Sequence, residues 1–352
     1  MVNILLIATT PLTKDGLTKI EMDVIRYNKD FQWTVACSDG FDNEFGRYFK
    51  SQDVRCINLP SKRKVVRYVK SIRNLIKTGN YDCVYIHGNS AMMLLQVLPS
   101  KLGGAKRIIT HCHNTKSDFP LMQYLAKPMF NSLVDVKLAC SDSAAKWAYF
   151  GKNIKVVVNG IEPDKFNFNS NVREDVRESL KWKENYVIGH VGRFNKQKNH
   201  KRLIDIFAKC YQRDRTCRLL LIGEGELKDD IEKYVKLKDL SKIVFFAGTT
   251  NHIERYYNAM DAFLMPSIFE GFCIVAVEAQ ANGLHVVMSD CVPPEAYLAK
   301  KTISLSLNQT DDVWAEAVLE GKNKDRNVCN YVKGTELDKD VMMEDIRRIL
   351  FK

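Results

Sequence analysis

Short apolar runs alternate with amphipathic segments from the start of this chain. In the first half, runs at 3–8, 33–37, 54–59, 83–86, 107–111, 136–140 and 155–158 are short and bounded by polar or turn-forming residues. That is the pattern of strands buried on both faces. Between them, 17–27, 64–77, 91–102, 120–133 and 143–149 read as helices. After a polar stretch at 167–185 the pattern restarts, with strands predicted at 186–191, 218–222, 243–246, 262–265 and 285–288 and helices between them. Strand–helix alternation predicts a parallel doubly wound α/β sheet. The restart predicts two Rossmann-like domains, 1–165 and 166–337, facing a cleft with their strand C-terminal ends toward it.

The length of 352 residues suits two ordinary domains. No apolar run approaches a membrane span, and Ile4 to Ala8 is too short for a signal peptide. Ten scattered cysteines form no CxxC pair. They read as small buried hydrophobes in a reducing compartment, so a cytoplasmic location is expected. The net charge of +11 is lopsided, because residues 1–165 carry +10 of it. Residues 61–77, SKRKVVRYVKSIRNLIK, hold seven basic residues and no acidic one. Their apolar stripe, Val65, Val69, Ile72 and Ile76, fits a helix packed on its own sheet. The one-sided charge suits an anionic membrane surface or a lipid-diphosphate acceptor. Nucleic acid would match the charge too, but no nucleic-acid module is present and none is expected as a partner.

The chemistry concentrates at 265–290, MPSIFEGFCIVAVEAQANGLHVVMSD. An apolar strand ends at Pro266-Ser267, a turn carries Glu270-Gly271, and a helix over 274–282 stops at Gly283. Eight residues of helical rise would set Glu270 and Glu278 about 12 Å apart. Between them the helix-start amides of Phe272, Cys273 and Ile274 would face an anion. Acceptor, donors, acceptor is the outline of a nucleotide sugar: sugar hydroxyls, phosphate, ribose hydroxyls. An isolated E-x7-E pair is a common accident, so the surrounding residues carry the argument. The second predicted domain opens with a strand and the loop Gly192-Arg193-Phe194-Asn195-Lys196-Gln197-Lys198. Arg193 and Lys198 would place two cations where a departing diphosphate develops charge, whereas Lys196 reads as solvated.

These residues resemble the family-4 retaining glycosyltransferases of the GT-B fold, bacterial capsular and exopolysaccharide type. The resemblance rests on the two glutamates with their fixed neighbours, and on Gly192, Arg193 and Lys198 in a G-R-x-x-x-x-K pattern. It implies that a helix at 338–352 returns to the first domain. It also implies that Gly223 and Thr249 lie beside the nucleotide, Glu278 holds ribose, Glu270 holds donor-sugar hydroxyls, and His113 orients the sugar or acceptor. Gly16, after the first strand, matches a family glycine only in part. His111 and His113 share a strand face while Cys112 does not, and no second ligand cluster completes a metal site. The only D-x-D pair, Asp338 and Asp340, lies outside any strand-end loop and reads as solvated charge. Neither metal nor cofactor is therefore expected, the nucleotide sugar being a co-substrate. The resulting expectation is a metal-independent retaining hexosyltransferase using a UDP-sugar and a lipid-linked saccharide, peripheral on the inner face of the cell membrane. Two alternatives stay open: a GT-B sugar-nucleotide hydrolase or epimerase, and a basic membrane- or nucleic-acid-binding module with a vestigial sugar site.

Overall fold

A computed structural model describes residues 2–12, 16–38, 40–41, 44–117, 119–151, 153–298, 302–323, 326 and 332–352. It divides into two compact units, Met1–Asn159 with Asp340–Lys352, and Gly160–Lys339.

The first unit runs β1 (Asn3–Ala8), α1 (Gly16–Tyr27), β2 (Gln32–Cys37), α2 (Glu44–Ser51), β3 (Arg55–Asn58), α3 (Val65–Gly79), β4 (Cys83–Gly88), α4 (Leu94–Leu102), β5 (Ile108–Cys112), α5 (Pro120–Leu133), β6 (Val136–Ala139), α6 (Asp142–Ala148) and β7 (Ile154–Val156). Its seven strands are all parallel, in the order β3-β2-β1-β4-β5-β6-β7. The order reverses between β1 and β4. Strands such as β4 are buried throughout, which is why they read as unbroken apolar runs.

The second unit contains α7 (Ser170–Leu180), β8 (Tyr186–Val191), α8 (His200–Arg213), β9 (Cys217–Ile222), α9 (Lys228–Leu237), β10 (Val244–Phe246), α10 (Ile253–Ala259), β11 (Ala262–Met265), α11 (Ile274–Ala281), β12 (His285–Ser289), β13 (Ile303–Leu305) and α12 (Asp311–Leu319). Six parallel strands lie in the order β10-β9-β8-β11-β12-β13, reversing between β8 and β11. The last helix, α13 (Lys339–Phe351), belongs to the first unit from Asp340 onward. There Met342, Met343, Ile346, Ile349 and Leu350 join the core with β1, α1 and β2.

The expected boundary at 165/166 lies inside the second unit. Ile161 and Lys339 hydrogen-bond across the paired entry and exit segments, Ile161 N–H to Leu337 O and Lys339 N–H to Ile161 O, each 2.9 Å. A Cβ on Gly160 would fall 2.7 Å from Lys339 Cα, so the two segments need glycine to lie this close. Asp338 is buried here and accepts the Gly334 N–H at 2.8 Å. It is a structural carboxylate, not the solvated charge expected of it. Helices α2, α7 and α12 and strand β13 escape the sequence pattern. Helix α2 and strand β13 are too short to show a period. Helix α7, inside the stretch read as polar, is capped by Asn169, whose Oδ1 accepts the Val172 N–H at 3.1 Å. It is fixed by ions rather than by an apolar stripe: Arg173 and Arg177 both pair with Asp261.

Candidate active site

The loops after β8 and β11 meet where the strand order of the second unit reverses, the usual ligand position in an open α/β sheet. After β8, Gly192 N–H donates to Ile222 O and Phe194 N–H to Glu224 O, both at 3.0 Å. The loop therefore lies directly along 222–225. At Gly223, with φ +141°, a Cβ would fall 2.1 Å from Gly192 O, and at Gly225 one would fall 2.5 Å from Phe194 O. These glycines are required by backbone packed on backbone, whether or not a nucleotide approaches them. Gly223 N–H also donates to Gly248 O at 2.9 Å, which places exposed Thr249 beside this pair of loops.

Lys198 sits inside this arrangement. Its backbone N–H donates to Asn195 Oδ1 at 3.1 Å, and its Nζ lies 2.7 Å from Glu270 Oε1. The side chains of Lys198 and Glu270 are only 14% and 5% exposed. Gln197 Nε2 donates to the other Glu270 oxygen at 3.2 Å, Ile268 N–H to Gln197 O at 2.8 Å, and Asn199 Nδ2 to Pro266 O at 3.1 Å. The two loops are one hydrogen-bonded body. Burial works against the Lys198 charge, but the Glu270 carboxylate outweighs it and holds the ammonium above its ordinary range. Arg193 is exposed, with Nε 3.3 Å from Glu226 Oε2. A surface pair of that kind costs little to open.

Glu270 and buried Gly271 and Phe272 lead to Cys273, which adopts φ +77°, a left-handed conformation that disfavours side chains. Cys273 starts α11 without a side-chain cap, so the Ile274 end of the helix presents first-turn amides that no side chain of Cys273 satisfies. Burial, then the nearby Glu270 charge, pushes the Cys273 thiol up to about 12, which keeps it neutral. The helix begins at Ile274, so half of the path from Glu270 to Glu278 is turn. The 12 Å separation expected of a continuous helix does not apply. Glu278 is buried and accepts the Tyr257 O–H at 2.9 Å. Burial, then Glu278, holds that phenol well above its ordinary range, so it remains a donor.

In the first unit, β4 and β5 are in register at His87 and His111, and His113 N–H donates to Gly88 O at 2.9 Å. The three imidazoles gather with ring nitrogens within 4.8 Å of one another. Sequence reasoning saw His111 and His113 on one face but did not bring His87 to them, because only strand register does so. Tyr85 O–H lies 2.9 Å from His111 Nδ1. Both nitrogens of His87 and of His113 have no hydrogen-bond partner among the described residues. The His87 and His113 rings stack at 5.1 Å with planes 15° apart. Burial holds all three neutral, His111 at about 3. Gly16 opens α1 with no atom of the described residues within 4 Å of an added Cβ. Residues 13–15 before it, and Cys329, lie outside the described residues.

Residues 172–329 match the family described as Glycosyl transferases group 1. Over 334 residues the chain is 28% identical to EpsF of Bacillus subtilis (strain 168), covering 90% of this chain and 84% of that relative. Over 284 residues it is 25% identical to the UDP-Gal:alpha-D-GlcNAc-diphosphoundecaprenol alpha-1,3-galactosyltransferase of Escherichia coli, covering 75% and 72%. The fold matches that of Anabaena HepE in complex with UDP-glucose at a TM-score of 0.82 and 17% identity, over 99% of each chain. The chain is a glycosyltransferase of the GT-B fold.

Several residues that shape the site of this glycosyltransferase carried no signal in the sequence. Tyr257 reaches Glu278 from another helix, 21 positions away. Buried His190 and His200 lie beside the Lys198 loop, and an added Cβ on Gly192 would fall 3.0 Å from His190 Nε2. His200 stacks on Phe194 at 4.0 Å. Gln197 was within reach of sequence reasoning, since it sits inside the G-R-x-x-x-x-K pattern, but its bond to Glu270 depends on the fold of both loops.

Proposed function

We propose that this glycosyltransferase moves a hexose from a UDP-sugar to a lipid-linked saccharide in surface-polysaccharide synthesis, with retention and without a metal or other cofactor. The observation that carries the reading is the buried Lys198–Glu270 pair beside the α11 start at the strand-order reversal. A diphosphate on the α11 amides would meet Lys198 on one side, and Arg193 once it leaves Glu226. Breaking the bond from the sugar carbon to the phosphate oxygen leaves charge on the diphosphate, where fixed cations stabilise it most. The acceptor oxygen takes the carbon, and its proton leaves with the diphosphate or solvent. Glu270 would meet the sugar hydroxyls, Glu278 the ribose, and His113 the sugar or acceptor. The donor and acceptor classes follow the E. coli relative, whose name gives UDP-Gal and a diphosphoundecaprenol-linked sugar. HepE, solved with UDP-glucose, supports the same donor class. No helix among the described residues is long and apolar enough to cross a membrane. A lipid-linked acceptor therefore calls for peripheral attachment at the cytoplasmic face, and the basic α3 offers an anionic bilayer its partner.

The test is turnover across a panel of nucleotide sugars with a short-chain lipid-diphosphate saccharide, in EDTA, with product configuration read by NMR. UDP-sugar turnover that survives EDTA and gives an α-linked product from an α-linked donor is expected. Activity restored only by Mn²⁺ or Mg²⁺ would overturn metal independence. Donor consumed equally with and without acceptor would favour a hydrolase instead.

A further inference from the structure

Helix α5 is inverted relative to an ordinary surface helix. Its buried side chains are Gln123 and Phe130, while Leu121, Met122, Tyr124, Leu125 and Met129 are 48–75% exposed. At helical spacing these five and Pro128 fill one arc of about 160°. The inward side is fixed by polar bonds: Gln123 Oε1 accepts the Ala91 N–H at 2.6 Å, and Gln123 Nε2 donates to Trp147 O at 2.9 Å. The helix therefore cannot roll its apolar arc inward without giving up both bonds. Phe119 and Phe150 extend the exposed apolar surface, and Lys127 Nζ lies 4.5 Å from the Phe150 ring centre. From 119 to 134 the sequence has no acidic residue.

Helix α4 packs against both α3 and α5. Exposed Arg63, Lys64, Arg67, Lys70, Arg73 and Lys77 thus lie one helix away from the apolar arc. Of the α3 stripe, Ile72 and Ile76 are turned inward with Tyr68, Val69 is half-buried and Val65 is exposed at the helix start. The charge of α3 and the apolar face of α5 are separate surfaces of neighbouring helices.

We propose that α5 is a membrane-insertion surface, seated at the headgroup boundary of an anionic bilayer with α3 beside it on the lipid phosphates. This deepens the reading above and rests on its lipid-linked acceptor. A bilayer fits better than a protein partner for two reasons. The arc is a convex helix face of Leu, Met and Tyr without carboxylates, as interfacial helices are, and the cations beside it are the complement of an anionic leaflet.

The full chain would be sedimented with vesicles of phosphatidylglycerol and phosphatidylcholine in equal parts, and with phosphatidylcholine alone. Leu121→Ser with Leu125→Ser should weaken binding about tenfold or more, at low and high salt alike, since the loss is apolar. Arg67→Glu with Lys70→Glu should weaken it at low salt and much less at high salt. Tyr124→Trp should shift its emission to the blue on anionic vesicles. Both pairs lie on exposed surface, so an unchanged melting temperature and retained donor hydrolysis are expected. The proposal is overturned if the Leu121/Leu125 variant binds like the wild type. It also fails if the Trp emission stays put, or if the wild type is a dimer that this variant dissociates with vesicle binding intact. Vesicle binding needs no donor. A chain that docks through α5 but turns over no nucleotide sugar would sink the function proposed above and leave this surface standing.

Discussion

Lys198 and Glu270 depend on each other, so each substitution there has two consequences. Lys198→Ala leaves a buried carboxylate without its cation, a loss of about 3–5 kcal/mol for broken buried pairs. It should lower both the melting temperature and turnover. Arg193→Ala opens only a surface pair, so it should spare stability while lowering turnover by about two to three orders of magnitude. Calorimetry and steady-state kinetics on both variants check this, and normal turnover in folded Arg193→Ala would remove it from the diphosphate site. The two glutamates should also separate. Glu278, anchored by Tyr257, would hold the nucleotide equally in ground and transition states, so Glu278→Gln should raise KM and weaken nucleotide affinity. Glu270→Gln should mainly lower kcat, because a sugar gaining positive charge leans on its partner most at the transition state. If nucleotide affinity is lost in Glu270→Gln and kept in Glu278→Gln, the donor lies the other way round.

At the scale of elements, the site is two loops locked together, and glycine sets their spacing. Gly223→Ala would drive a Cβ to within 2.1 Å of the Gly192 carbonyl at a φ that side chains avoid. The neighbouring Arg193 loop must then move. A loss of about 1–3 kcal/mol is expected for strain of this kind, with turnover falling alongside. Gly16→Ala is the contrast, since its Cβ meets no atom of the described residues within 4 Å. Its stability should change by less than about 0.5 kcal/mol. A fall in turnover there, with stability intact, would mark Gly16 as a substrate contact, whereas unchanged turnover would remove it from the site. Urea melts of both variants, read with their kinetics, decide between these outcomes.

Taken as a whole, the molecule keeps five histidines neutral by burial: His87, His111 and His113 in the first unit, His190 and His200 in the second. His111 and His200 are both held at about 3. Each folded value lies below the ordinary value of 6.5, so below that pH the unfolded chain binds protons that the folded chain refuses. Stability from these groups is complete above pH 6.5 and drains away as pH falls toward about 3. Urea midpoints should accordingly drop between about pH 7.5 and about pH 5. Equal midpoints at both would mean that the imidazoles accept protons in the fold.

The sequence by itself determined the doubly wound α/β class and most of the strands, because a strand buried on both faces must be a short apolar run. It also put Gly192, Arg193, Lys198 and Glu270 in the loops that follow strands and Glu278 in the helix after its loop, since local order along the chain sets which residue follows a strand. Strand register brought His87 beside His111. Tertiary packing put Tyr257 on Glu278 and turned Lys198 and Glu270 into one buried pair. It also gave Gly223 and Gly225 a structural reason to be glycine. The amphipathic pattern of α5 reads the same whichever side faces the sheet. Only the bonds of Gln123 to Ala91 and Trp147 decided that its apolar arc faces out. Contacts between residues far apart in sequence leave no period to read, so these features belong to the folded chain alone.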